Sequence, residues 1–273
     1  MMLRKVKKLT VTILMFMIMI VFIFPFYMML IMGTYKTETL FRTMVILPGD
    51  YIEQNFSTIK QSTFFHSYWN SFYIAVLVTL ISSVSSAMAG FGFAKYQFRL
   101  CKPLFNVVLL TMMIPSQLGM IAFIWEMKQF GWTDTHLPLI IPAITSNFGV
   151  FWMRQYVRDS IPNEVIDSAR IDGANDIRAF FQICLAFIKP ALLSTGLLFF
   201  LWSWNSYMLP LLVITKPELQ TIPLSIVSLR DYIRTDYCAQ ILGLSMGAIP
   251  MIIIFILFSK SLITGLAATA VKG

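Results

Sequence analysis

The chain has 273 residues, of which 58% are hydrophobic and only 12% charged, with a net charge of +8 and a mean hydropathy of +0.75. A soluble domain carries about 25% charged residues, so this composition excludes an ordinary water-soluble fold. At about 20 apolar residues per crossing of a ~30 Å hydrocarbon core, the length accommodates roughly six crossings and no second soluble domain of ordinary size.

The N-terminus is basic, with Arg4, Lys5, Lys7 and Lys8, and leads into an apolar run over 10–33. That run is longer than the core of a secretion signal and no small-residue cleavage site follows it, which predicts a retained first helix. Further runs of spanning length cover 70–94, 104–125, 137–157, 188–214 and 241–261. They predict an all-α, polytopic bundle of six transmembrane helices, a single domain over 1–273. In the second run Ser82, Ser86 and Gly90 recur every four residues, a stripe along which another helix can approach closely. Pro25, Pro115, Pro142 and Pro210 mark predicted kinks or helix ends.

The basic residues cluster at the ends of the apolar runs, which is the signature of membrane orientation and not of nucleic-acid binding. With both termini inside, fourteen lysines and arginines fall on inner segments; seven (Lys36, Arg42, Lys60, Lys128, Lys216, Arg230 and Arg234) fall outside. Both termini are therefore predicted to be cytoplasmic, with the loop over 126–135 outside. The outer segment over 216–240 sets Lys216, Arg230 and Arg234 against Glu218, Asp231 and Asp236, and reads as a solvated loop, either functional or passive.

No charged residue or histidine lies deep in any run; the nearest are Lys95, Glu126, Arg154 and Lys260, all at ends. Ion-coupled transporters place ionisable groups in the membrane, so this absence weighs against a self-powered transporter, although unwound carbonyls can also bind Na⁺. The sequence has no G-x-x-x-x-G-K-[ST] loop to cradle phosphates, so any ATP hydrolysis takes place on another chain. His66 and His136 stand far apart, which offers neither a catalytic arrangement nor a metal site. Cys101, Cys184 and Cys238 are too few and too scattered for a disulfide framework or metal site, and are assigned no role.

The longest inner loop, over 158–189, reads as two short helices. Pro162 and Asn163 open the first, which places Pro162, Val165, Ile166 and Ala169 on one face while Glu164, Asp167 and Arg170 point elsewhere. Gly173 suits a left-handed helix stop. Asn175 or Asp176 caps a second helix, with Ile177, Phe180, Phe181 and Cys184 as its apolar stripe. A short amphipathic helix of this kind buries its apolar face in the lipid interface or in a groove on a partner, and spacing alone leaves both open.

The stretch Asp167-Ser168-Ala169, then Gly173, then Ile183, Leu185 and Ala186 resembles the cytoplasmic loop of ABC importer permeases. That loop reads E-A-A, three residues, Gly, nine residues, I-x-L-P; here Asp-Ser replaces Glu-Ala, and Ala186 replaces the proline. The likeness runs from about Asn70 to Gly273, through Arg154-Gln155, the run Ser168 to Ala174, Lys189-Pro190, Trp204-Asn205 and the tail Val271-Lys272-Gly273. It is greatest to the carbohydrate-uptake permeases of the maltose type, smaller subunit, although the tail lacks one glycine near Thr269.

The resemblance implies a heterodimer with a second permease subunit in a prokaryotic plasma membrane, among its lipids. It also implies two cytoplasmic ATPase subunits that bind the ATP and Mg, an extracytoplasmic sugar-binding protein, and no cofactor in this chain. It assigns ATPase coupling to Glu164, Val165, Asp167, Ser168, Ala169, Arg170, Asp172, Gly173 and Ala174. A sugar route needs polar and aromatic groups without charge, which Trp204, Asn205 and Tyr207 beside Pro210 supply. The same three residues also fit an interfacial aromatic belt with an interhelical hydrogen bond. Two other functions remain open: a permease of the same superfamily for a non-sugar solute, and a non-transporting membrane anchor or sensor.

Overall fold

The computed structural model describes residues 2–229 and 236–270, with side chains at 5, 7–229 and 236–259. Among these residues every regular element is helical and no strand forms. In chain order the helices are α1 (Met2–Met32), α2 (Thr37–Leu40), α3 (Ile52–Gln61), α4 (Phe64–Lys95), α5 (Cys101–Met112), α6 (Met120–Gln129) and α7 (Leu137–Ile140). There follow α8 (Asn147–Ser160), α9 (Asn163–Ile171), α10 (Asp176–Arg178), α11 (Leu185–Trp204), α12 (Met208–Val213), α13 (Ile222–Ser228) and α14 (Tyr237–Ala270). They fall into two compact units, Met1–His66 with Ile222–Ile249, and Ser67–Thr221 with Pro250–Gly273.

In the first unit α1 is apolar and exposed around its whole circumference over residues 7–27, as a helix solvated by lipid is. Pro25 lies inside it without ending it, so the break predicted there does not occur. Beyond α1 the chain is held by Asn55, fully buried, whose Nδ2 donates to the Gly33 carbonyl at 2.8 Å and the Tyr35 carbonyl at 2.9 Å. The segment read as one solvated loop over 216–240 contains the helix α13, with Ile222, Leu224 and Ile226 buried. Alternating large apolar residues there outweigh the flanking charges. Arg230, Asp231 and Arg234 lie outside the described residues, as does the tail Val271–Gly273.

In the second unit the predicted stripe on α4 does pack. Ser82 donates to the Ala143 carbonyl at 2.7 Å. A Cβ at Gly90 would stand 2.6 Å from Met153 Cβ, so α4 meets α8 at backbone distance. Three of the expected spans are interrupted. The run over 104–125 is two helices whose axes differ by 92°, with Pro115 at the break: it offers no N–H and bars helical geometry to the residue before it. The run over 137–157 begins with α7 and a 3-10 turn through Pro142. It restarts only at α8, where the Ser146 side chain accepts from the Gly149 N–H at 3.1 Å. The run over 188–214 stops at Trp204 and resumes as the short α12 around Pro210. Among the described residues four helices are therefore long and apolar enough to cross a membrane, or five when the bent pair counts as one.

Candidate functional site

The loop after α8 folds as a rigid bracket. Pro162 leads into α9, and Lys95, the last residue of α4, reaches across with Nζ to the Ile161 carbonyl and, at 2.8 Å, to Asn163 Oδ1. On α9 the side chain of Ile166 is buried among Phe91, Tyr156, Val157, Ile161, Phe180 and Cys184, and Ala169 is buried as well. Val165 packs at the edge of the same cluster. The apolar face is thus covered by the chain's own helices and not left for lipid or a partner's groove; Pro162 alone of the predicted stripe is exposed.

The end of α9 is set by hydrogen bonds. Gly173 adopts φ +84°, its N–H donates to the Arg170 carbonyl at 3.0 Å, and the Ala174 N–H donates to the Ala169 carbonyl at 2.9 Å. This pair of bonds around a left-handed glycine is a Schellman stop. Asn175 then caps α10, its Oδ1 accepting from the Arg178 N–H at 2.8 Å. Ala179–Cys184 is a π-helical turn, and its wider i→i+5 spacing rotates the stripe. Ala179, Phe180 and Cys184 point inward, whereas Ile177 and Phe181, expected inside, are exposed.

Facing solvent on α9 are Glu164, Asp167, Ser168 and Ile171, one helical face, with Ile171 87% exposed; Asp172 beyond them is also exposed. Arg170 lies to one side with its guanidinium over the Tyr96 ring at 5.2 Å, and within 3.6 Å of Asp167 and 3.5 Å of Asp176. Lys95 and Tyr96 were absent from the sequence-level site. Their only sequence signal is a basic residue and an aromatic at the end of an apolar run. Together with Gln97, Asn163, Asp167 and Arg170 they line a polar pocket of about 370 Å³.

The residues at the end of α11 divide. Trp204 is 2% exposed and packs on Phe200, Ala75 and Tyr68, so it presents no face to a passing solute. Asn205 is exposed, and its Nδ2 donates to the Leu201 carbonyl at 2.8 Å, closing the helix end. Tyr207 is half-buried. Beside this break a cavity of about 170 Å³ is lined by Ser71, Trp202, Ser203, Ser206, Pro210 and Thr221, among others.

Three side chains hold the segment after α12. Asp134, at φ +55°, accepts from the Thr215 N–H at 2.6 Å, the Thr215 hydroxyl at 2.8 Å and the Lys216 N–H at 3.3 Å. These donors hold its carboxyl below the usual range, Thr215 contributing most. His136 Nε2 lies 2.7 Å from the Leu219 carbonyl, which requires its proton on that nitrogen, while Nδ1 meets the Tyr73 hydroxyl. Asn70 Nδ2 donates to the carbonyls of Glu218 at 2.8 Å and Gln220 at 3.0 Å. Among the described residues no group of His, Cys, Asp and Glu is placed to hold a metal ion.

Residues 83–268, which include the whole bracket, match the family described as binding-protein-dependent transport system inner membrane component. The chain belongs to that family. It is accordingly a multi-pass membrane protein and a subunit of a transporter, not an enzyme. It is 31% identical over 250 residues, 89% of each chain, to the arabinooligosaccharides transport system permease protein AraQ of Halalkalibacterium halodurans. It is 28% identical to the lactose transport system permease protein LacG of Rhizobium radiobacter, over 89% of this chain and 88% of the other. Its fold matches a chain in the crystal structure of a bacterial ABC transporter that imports the acidic polysaccharide alginate. The TM-score is 0.79 at 21% identity, over 94% of this chain and 96% of that one.

Proposed function

We propose that the chain is the permease subunit of an ATP-driven importer that passes a sugar or oligosaccharide from an extracytoplasmic binding protein into the cytoplasm. The arabinooligosaccharide and lactose permeases among its relatives support the solute class. In this reading 1–273 is a single permease domain with both termini cytoplasmic. The bent pair α5 and α6 forms the third crossing, and α7 with α8 forms the fourth. A second permease subunit completes the channel, and two ATPase subunits bind and hydrolyse ATP.

The observation that carries the reading is the exposed face of α9. Glu164, Asp167, Ser168 and Ile171 stand on a helix braced from behind by Ile166 and Ala169, and its exit is set by Gly173. A helix so braced passes a push from an ATPase to the bundle without first deforming. Asp172 and Ala174 belong to the stop, and Arg170 ties it to Tyr96. For the solute route the break after α11 supplies Asn205 and Tyr207, joined by Trp202, Ser203 and Ser206 at the cavity, while Trp204 braces them from the core.

The test is to copurify the chain with its partners and measure ATPase activity, with binding protein present, across a panel of sugars. Stimulation by a sugar is expected. Stimulation only by a non-sugar solute would move the chain to another substrate class, and the absence of any ATPase partner would leave a membrane anchor.

A further inference from the structure

Past the outer end of α1 the chain does not leave the helix but returns along it. After α2 the backbone over 41–50 has no regular structure. The Tyr27 hydroxyl donates to the Ile46 carbonyl at 2.6 Å, and the Tyr35 hydroxyl to the Leu47 carbonyl at 2.9 Å. The Gly49 N–H donates to the Thr34 hydroxyl at 2.7 Å, and the Tyr51 N–H to the Thr34 carbonyl at 2.9 Å. Tyr27 precedes the end of α1 by five residues, about 7.5 Å along a helix axis. The Ile46 carbonyl is thus tied to a residue more than a turn before that end.

The returning segment is apolar and mostly exposed, although the Phe41 ring meets Tyr237 edge-on with 5.7 Å between centroids. Phe41, Met44 and Leu47 are 73%, 86% and 72% exposed, and Ile46 is exposed beside them, while only Val45 turns inward. From Thr43 to Gly49 there is no charge, and Arg42 and Asp50 stand at the two ends. Hydrogen bonds to the Ile46 and Leu47 carbonyls and from the Gly49 N–H fasten the segment to the end of α1.

We propose that residues 41–48 form a wedge that inserts into the outer leaflet, with Phe41, Met44, Ile46 and Leu47 among the upper acyl chains. Tyr27 and Tyr35 act as its polar anchors. Arg42 stands at the phosphate level, where a basic side chain keeps its head wet while its stem lies in apolar surroundings. The occupant of this surface is lipid, because the segment is continuous with α1 and lies alongside its membrane-facing turns. The proposal rests on the reading that α1 crosses the membrane with its C-terminal end outward.

The experiment places a nitroxide at Met44→Cys, Leu47→Cys, Glu53→Cys and Val21→Cys, one at a time, in the assembled complex in nanodiscs, with Cys101, Cys184 and Cys238 replaced by alanine. Accessibility to oxygen, which partitions into lipid, is compared with accessibility to a water-soluble nickel chelate. At 44 and 47 oxygen is expected to dominate, with or without binding protein, and at 53 the chelate. Tyr27→Phe is expected to shift 44 toward the chelate. Chelate access at 44 and 47 equal to that at 53 overturns the proposal, as does shielding from both reagents, whether constant or arising only when binding protein is added. A chelate-accessible Val21 overturns the crossing of α1 itself, which separates failure of that reading from failure of the wedge.

Discussion

Lys95 Nζ stands 2.8 Å from Asn163 Oδ1, so the last residue of a long membrane helix holds the first residue of α9. The same ammonium reaches the Ile161 carbonyl, which lacks a further partner once α8 has ended. Lys95→Met is expected to cost about 1 kcal/mol, since hydrogen bonds to a charged, half-exposed group stabilise modestly and leave a carbonyl unmet when removed. It should also lower transport per ATP hydrolysed while the complex still assembles. Coupled uptake and ATPase rates measured on the same preparation check this; an unchanged ratio would show that the anchor is passive.

Gly173 has nothing within 4 Å of where a Cβ would stand, so a side chain there is opposed by backbone conformation alone. At φ +84° a β-branched residue should cost on the order of 1–2 kcal/mol, and asparagine less. Gly173→Val is expected to lose ATPase attachment with normal membrane insertion, and Gly173→Asn to retain most of it. Copurification and thermal melting of the two variants test the ordering.

Ala169 and Ile171 are two residues apart and face opposite ways. Ala169→Glu places an unpaired carboxylate at a buried position, at a cost of about 3 kcal/mol or more, and should appear as a folding defect. Ile171→Glu changes an 87% exposed side chain and should leave melting unchanged while abolishing ATPase copurification. If Ala169→Glu melted like the unmodified chain, the inward packing of α9 would be wrong.

The clasp at Asp134 has a defined acid response. Its carboxyl is held below the usual carboxylate range, so the contribution is present above about pH 4, the unfolded value, and is lost as pH falls through the lower folded one. Hydrogen exchange of 214–221 in the assembled complex should therefore be flat from neutral to mildly acid pH, after correction for intrinsic rates, and rise only in stronger acid. Asp134→Ala should raise it at every pH. Asp134→Asn keeps an acceptor and tolerates the left-handed backbone, so it should remove the acid response with little effect at neutral pH.

The features legible in the sequence are those set by local chemistry. Gly173 announces its left-handed turn because no other residue adopts one as easily, and Ser82, Ser86 and Gly90 announce a close contact because they are small at helical spacing. Prolines were less readable. Pro25 lies within a continuous helix whereas Pro115 stands at a 92° break between two, so a proline alone does not say which will follow. The stripe after Asn175 was misplaced because a π turn does not keep the 3.6-residue period assumed for it. The burial of Trp204 depends on Tyr68 and Phe200, and the first of these is far away in sequence. The inward face of α9 was hidden for the same reason: its cover comes from α4, α8 and the π turn.

The contact of Gly90 with Met153 leaves no slack between α4 and α8. Two helices pressed to backbone distance cannot slide or roll without collision, so they behave as one stiff beam. One end of that beam carries Lys95 and the α9 bracket; at the other, Asn70 grips the carbonyls of Glu218 and Gln220. A tilt applied at the bracket therefore arrives at the segment that Asn70 holds as displacement rather than being absorbed on the way, and widening the contact by a single methyl group would put play into the lever.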